Sequence, residues 1–222
     1  MWRSRGAKRP ATRYRAMAFY RDRVYPHIVS ALGNPKPLDE IRRRIVPQAR
    51  GDVLELGVGP GVNFAYYDPD KVGKVFALEP NPGMLHLAAE ARLRIKIDVE
   101  FLDLPGERIP LGESTIDTVV STFTMCTIPG VAEALREVAR VLKPGGQLIF
   151  FEHGLAPDPQ VRRWQVRVEP FFKLAFAGCH VTVGAGGDRA KTAISCVIHA
   201  RAKHALRELP ESLHSRIRAN WV

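Results

Sequence analysis

At 222 residues, 45% of them hydrophobic, the chain is long enough for one domain with a substantial core and too apolar for general disorder. Its net charge of +10 is confined to the ends, +6 in residues 1–16 and +4 in residues 183–222, so the body has no electrostatic footprint for DNA. No apolar run reaches the roughly 18 to 20 residues that span a bilayer, no secretory signal follows the basic start, and Cys126, Cys179 and Cys196 lack metal-ligand spacing.

Residues 1–16 read as a basic, disordered extension, with Met17 a second candidate start. Residues 17–46 alternate apolar and basic residues at helical spacing, broken by "GNPKP" at Gly33–Pro37, which predicts a cap of two helices. From 47 to 182, short apolar runs alternate with helical patterns. Strands are expected at Val53–Leu56, Lys74–Leu78, Val99–Leu102, Thr118–Thr122 and Gln147–Glu152. Helices are expected at about Val62–Tyr67, Pro82–Arg94 and Pro129–Leu142. "KPGG" at Lys143–Gly146 should end the last helix and turn sharply into the next strand. The alternation predicts an α/β fold, a Rossmann-like, doubly wound and mostly parallel sheet with helices on both faces.

The first strand runs into "GVGPG", Gly57–Gly61, and then a helical segment. Glycine there permits positive φ and lets backbone amides approach a ligand with no Cβ in the way, and a helix start adds free N–H groups. Glu79 ends the second strand, 22 residues after Gly57, where a carboxylate can accept both hydroxyls of a ribose. A dinucleotide loop would need glycine at Val62. The G-x-G-x-G spacing, with Glu55 inside the preceding strand, suits instead a ligand with an amino-acid end and no pyrophosphate.

The chain resembles class I S-adenosylmethionine (SAM) methyltransferases in "VLELGVGPG", "ALEPN", "FLDLPGERIPL", "IDTVVSTFTMCTI" and "REVARVLKPGGQLIFFEHG". These motifs cover about Gly51 to Gly154 in the family's order. Within that class it is similar to bacterial ubiquinone/menaquinone-methyltransferase-like proteins and to animal methyltransferase-like thiol methyltransferases, sharing "FFEHGLAPDPQVRRWQ". The resemblance implies that Gly57, Gly59 and Gly61 line the methionine part of SAM, with Glu55 near its amino group and Asn63 towards the carboxylate. It places Glu79 on the ribose, Pro80, Asn81 and Met84 beside the adenine, Asp103 and Leu104 at the adenine edge and face, and Thr122 and Phe123 near the sulfonium.

Methyl transfer from a sulfonium is an in-line displacement, so the protein must mainly align the acceptor and exclude water. A base is needed when the acceptor arrives protonated, as a thiol does. His153, ending the fifth strand, has the pKa for that duty, and His180 in "AGCH" is a second candidate. Aromatics in Met17–Ile45 and Leu155–His180 (Phe19, Tyr20, Tyr25, Trp164, Phe171, Phe172 and Phe176) suggest a greasy lid. The acceptor expected is small or lipophilic: a thiol, a quinone precursor or a lipid amine. No metal is expected, nor a specific nucleic acid. Cytoplasmic location with peripheral membrane contact fits the scattered cysteines and basic ends.

After Thr182 the resemblance stops. Residues 183–222 form an atypical basic tail with one short strand pattern (Ala193–Ile198) and one helical pattern (His199–Leu206), so the family's C-terminal strands are aberrant or absent. A shifted reading frame would account for this, and the gene sequence tests it. Two other readings stay open: an NAD(P)-linked oxidoreductase, disfavoured by Val62, and a non-catalytic SAM-binding or RNA-associated protein that works through its basic ends.

Overall fold

A computed structural model describes residues 18–32, 34–152 and 158–175. Five strands form where short apolar runs occur: β1 (Gly51–Leu56), β2 (Val72–Leu78), β3 (Asp98–Leu102), β4 (Ile116–Thr122) and β5 (Leu142–Phe151). All pair in parallel, in the order β3-β2-β1-β4-β5. Successive side chains point to opposite faces. Val53, Val75, Val120 and Ile149 therefore join one core, while Leu54, Leu78, Val119 and Leu148 join the other. Burial on both faces is why these strands read as continuous apolar runs rather than alternating ones.

The helices are α1 (Tyr25–Leu32), α2 (Lys36–Ile45), α3 (Pro82–Arg92), α4 (Val131–Val141) and α5 (Pro159–Ala175). Ile45 of α2 and Ala88 of α3 close the first core, and Leu135, Val138 and Ala139 of α4 close the second. The N-terminal pair is preceded by one π-helical turn, Tyr20–Val24. It packs directly on α3. A Cβ on Gly83 would lie 2.1 Å from the Asp22 carbonyl oxygen and 2.7 Å from Pro26, so only glycine admits that approach.

Two local expectations need correction. The segment expected as a helix at Val62–Tyr67 is a 3-10 turn, Val62–Tyr66. Its β-branched and aromatic residues are weak helix formers, and Pro69 disfavours helical geometry at Asp68 before it. "KPGG" does not turn between a helix and a strand but lies inside β5. Ile116 pairs with Leu142 and Thr118 with Gln147, so Lys143–Gly146 bulge opposite Asp117. The bulge is held by Lys143 Nζ at 2.7 Å from the Asp117 carboxylate, with Gly145 at φ 80°. The proposed 1–16 extension and 183–222 tail lie outside the described residues.

The sheet order reverses beside β1. The connections leaving β1, β2 and β4 therefore diverge at the carboxyl ends of the strands and open a crevice there, the usual ligand position in an open α/β sheet.

Candidate functional site

The crevice contains a cavity of about 470 Å³. Its polar wall comes from the loops after β1, β2 and β4, and its apolar wall from the N-terminal helices and α5. Gly57, Gly59, Asn63, Glu79, Pro80, Asn81, Met84, Thr122 and Phe123, all expected at the site, line it together. Glu55, Gly61, Asp103 and Leu104 are not among the lining residues. His153, His180, Cys179 and Phe176 lie outside the described residues.

The three loop glycines serve different ends. A Cβ on Gly57 (φ 68°) would fall 2.2 Å from Thr124 Cγ2, so Gly57 admits the β4 loop rather than a ligand. A Cβ on Gly59 (φ 53°) would meet nothing within 4 Å. It would project into open space beside the cavity. Gly61 faces away, against Phe64 and Ala91.

Glu55 is fully buried beneath the loop. Asn63 Nδ2 donates to its Oε1 and the Tyr67 hydroxyl to its Oε2, both at 2.9 Å. Burial pushes its carboxyl up to about 7, against the pull of those two donors and of Arg42. Asn63 also donates to Thr122 Oγ1 at 3.1 Å and accepts from Arg42 Nε at 3.2 Å. Glu55 thus anchors Asn63 rather than facing the cavity. A Tyr-x-x-x-Lys spacing of the kind oxidoreductases use, Tyr67 to Lys71, also lies beside Glu55. Here the tyrosine is spent on Glu55 and the lysine pairs with Asp68 at 2.7 Å.

Glu79 accepts the backbone N–H of Gly59 (3.1 Å) on one oxygen and that of Asn81 (3.0 Å) on the other. A carboxylate offers about four lone-pair sites, so two remain for hydroxyl donors. Burial raises its pKa, and the two amides pull it back. Asp103 acts on Glu79 electrostatically and so stands near it, though off the cavity wall. Asn81 is committed: Oδ1 caps α3 through Gly83 N and Met84 N, while Nδ2 holds the Arg21 carbonyl at 2.9 Å. "Asn-Pro-Gly" at a helix start is a legible N-cap signal.

Sequence reasoning missed Arg42, Thr124 and Thr127. Arg42 is buried on α2, donating to Asn63 and to Asn34 Oδ1 (2.8 Å) with its guanidinium 5.7 Å from the Phe123 ring centre. Burial lowers its pKa, against the pull of Tyr66, Glu55 and Asp39. No local signal marks it, because its partners are 8 to 81 residues away in the chain. Of the expected lid aromatics, Tyr25 and Phe172 line the cavity; Phe19, Trp164 and Phe171 are exposed. Ile28, Val29, Leu32 and Leu38 complete the apolar wall. Among the described residues no cluster could hold a metal ion, and no helix is long and apolar enough to cross a membrane.

The sequence matches a methyltransferase domain family over residues 54–150. Thiol S-methyltransferase TMT1B of Rattus norvegicus is 38% identical over 134 residues, 59% of this chain and 54% of that one. The match therefore spans about half of that relative's length. TMT1B of Homo sapiens is 30% identical over 205 residues, covering 86% of this chain and 83% of the human protein. The crystal structure of YcgJ from Bacillus subtilis, 24% identical, is similar in fold, with a TM-score of 0.51 over 61% of this chain and 57% of that one.

Proposed function

The chain belongs to the class I SAM-dependent methyltransferases, and from that premise we propose that it moves the sulfonium methyl of SAM to the sulfur of an apolar thiol. The cavity suits SAM on one specific ground: the open space beside Gly59, bordered by the carboxylate of Glu79. Gly59 and its neighbours would hold the methionine part, and Glu79 the ribose hydroxyls. Pro80 and Met84 would flank the adenine, with Asp103 and Leu104 beyond them, and Thr122 and Phe123 would stand near the sulfonium. Bound SAM supplies a methyl group made electrophilic by its positive sulfur.

This chain's own contribution is placement and exclusion of water. The wall of Ile28, Val29, Leu32, Leu38 and Phe172 faces the glycine loop across a single cavity, and that observation carries the reading of an apolar acceptor. A wall of this kind desolvates the attacking sulfur and favours an in-line approach. A thiol near pKa 8.5 is mostly protonated at neutral pH, so a base is required, and His153 is proposed for it. Thiol is favoured over a quinone precursor or a lipid amine because the human relative matched over 86% of this chain is named a thiol S-methyltransferase.

The decisive experiment incubates the protein with SAM and, separately, an alkyl thiol, glutathione as a polar thiol, a demethyl-quinone and phosphatidylethanolamine, and weighs the products. Methylation of the alkyl thiol is expected. Methylation of glutathione alone would overturn the apolar acceptor. Calorimetry gives a second check at the ribose. Two hydrogen bonds to a charged carboxylate, each about 1.5–3 kcal/mol, predict that Glu79→Ala weakens SAM binding about 100-fold or more. Unchanged affinity would remove Glu79 from the site.

A further inference from the structure

The loop after β4 supplies Thr122, Phe123, Thr124 and Thr127 to the cavity, yet Phe123 sits at φ 56°, a left-handed conformation that a bulky side chain adopts only when held there. Phe123 N–H donates to the Phe151 carbonyl at 2.7 Å, and the residues that follow it are held by Glu152, just past β5. Its Oε1 accepts from Thr124 N (2.9 Å), Met125 N (2.9 Å) and the Ser121 hydroxyl (3.1 Å), and its Oε2 from Cys126 N (3.4 Å). β4 and β5 are in register, Thr122 opposite Phe151, so the carboxylate emerges directly beneath the turn. Glu152 is buried and does not itself line the cavity.

We infer that Glu152 is a positioning residue that fixes the Phe123–Thr127 loop in its cofactor-binding shape. The fixed loop places Thr124 against Gly57, where its hydroxyl donates to the Gly57 carbonyl at 3.2 Å, and so joins the wall near the sulfonium to the glycine loop. Three consecutive amides converge on one carboxylate. Other bonds in the turn remain without it, Phe123 N to the Phe151 carbonyl at 2.7 Å and Thr127 N to the Thr124 carbonyl at 2.9 Å, but losing Glu152 removes a shared anchor from three consecutive amides at once. The inference rests on the SAM reading above for its consequence, not for its geometry.

The test compares Glu152→Gln, Glu152→Asp and Glu152→Ala by amide hydrogen exchange without SAM and by SAM titration calorimetry. Glutamine keeps an oxygen at the Oε1 position, where three of the four bonds end. It should keep SAM affinity within about threefold and leave the Thr124 and Met125 amides protected. Alanine, or aspartate where alanine does not fold, should speed exchange at Thr124–Cys126 at least tenfold while Leu54 and Val119 stay protected. It should also weaken SAM at least tenfold. Exchange that rises equally across the sheet, or an unchanged loop with unchanged affinity, would overturn the inference. Wild-type protein that fails to bind SAM would sink the functional reading instead and leave the exchange result standing.

Discussion

Gly57→Ala is expected to cost the fold, and Gly59→Ala the ligand. At Gly57 the new methyl would lie 2.2 Å from Thr124 Cγ2, 2.5 Å from its Oγ1 and 2.9 Å from its Cβ. Rotating the threonine therefore does not clear the clash. Overpacking of this kind costs about 1–3 kcal/mol, and a left-handed alanine about 1–2 more. Together they predict a fall in Tm on the order of 10 °C for a chain of this length. Adding Thr124→Gly should restore much of that loss, since all three clashing atoms belong to the Thr124 side chain. At Gly59 nothing lies within 4 Å, so the fold bears only the backbone strain and Tm should drop a few degrees. SAM affinity should nevertheless fall by about 100-fold or more, because the methyl would occupy the space proposed for the methionine part. Thermal melts and calorimetry on both variants decide it. Equal destabilisation, or a Gly59→Ala protein that binds SAM normally, would break the division of labour between these glycines.

That contrast also marks what can be read from a sequence. The glycine loop, the strand before it and Glu79 beyond it are local signals at fixed spacing, and the parallel order around β1 follows from strand–helix alternation. A motif does not say why each glycine is there. Gly57 is small because Thr124, 67 residues later, needs the room. Arg42 reaches the site because α2 folds back over Asn63, and Phe172 because α5 comes to border the same cavity. Such assignments depend on tertiary contacts, which hydrophobic period and residue class do not encode. Glu152 shows the same limit. Its position after a strand is legible, but its partners depend on the β4–β5 register, itself altered by the Lys143–Gly146 bulge that the sequence made look like a plain turn.

The acid buried beneath the loop predicts a pH dependence of stability whose sign is unusual for a carboxylate. Glu55 gains Asn63 and Tyr67 as donors and has Arg42 nearby, which favour its charged form. Complete burial outweighs them, and its carboxyl is pushed up from 4.5 to about 7. A group whose folded pKa lies above its unfolded value contributes stability below the unfolded pKa and loses it as pH rises through the folded one. Glu55 therefore stabilises the fold at pH 4.5 relative to pH 8, and the loss falls between about 4.5 and 7. At about 1.4 kcal/mol per pKa unit the difference is on the order of 3 kcal/mol. Glu79 and Glu152 are raised by burial too and slope the same way, whereas Asp39 and Asp117 are lowered and act at more acid pH. Glu55→Gln isolates the one residue. Its amide is neutral throughout, keeps an acceptor for Asn63, and can donate to the Tyr67 oxygen. Denaturant melts should find variant and wild type nearly equal at pH 4.5, with the variant ahead by a margin that grows to pH 7 and then levels. SAM affinity should stay within a few-fold, since Glu55 acts through Asn63 and does not touch the cavity. A margin that is flat with pH would mean that the carboxyl titrates normally in the fold. A collapse of SAM binding would mean that Glu55 meets the ligand after all.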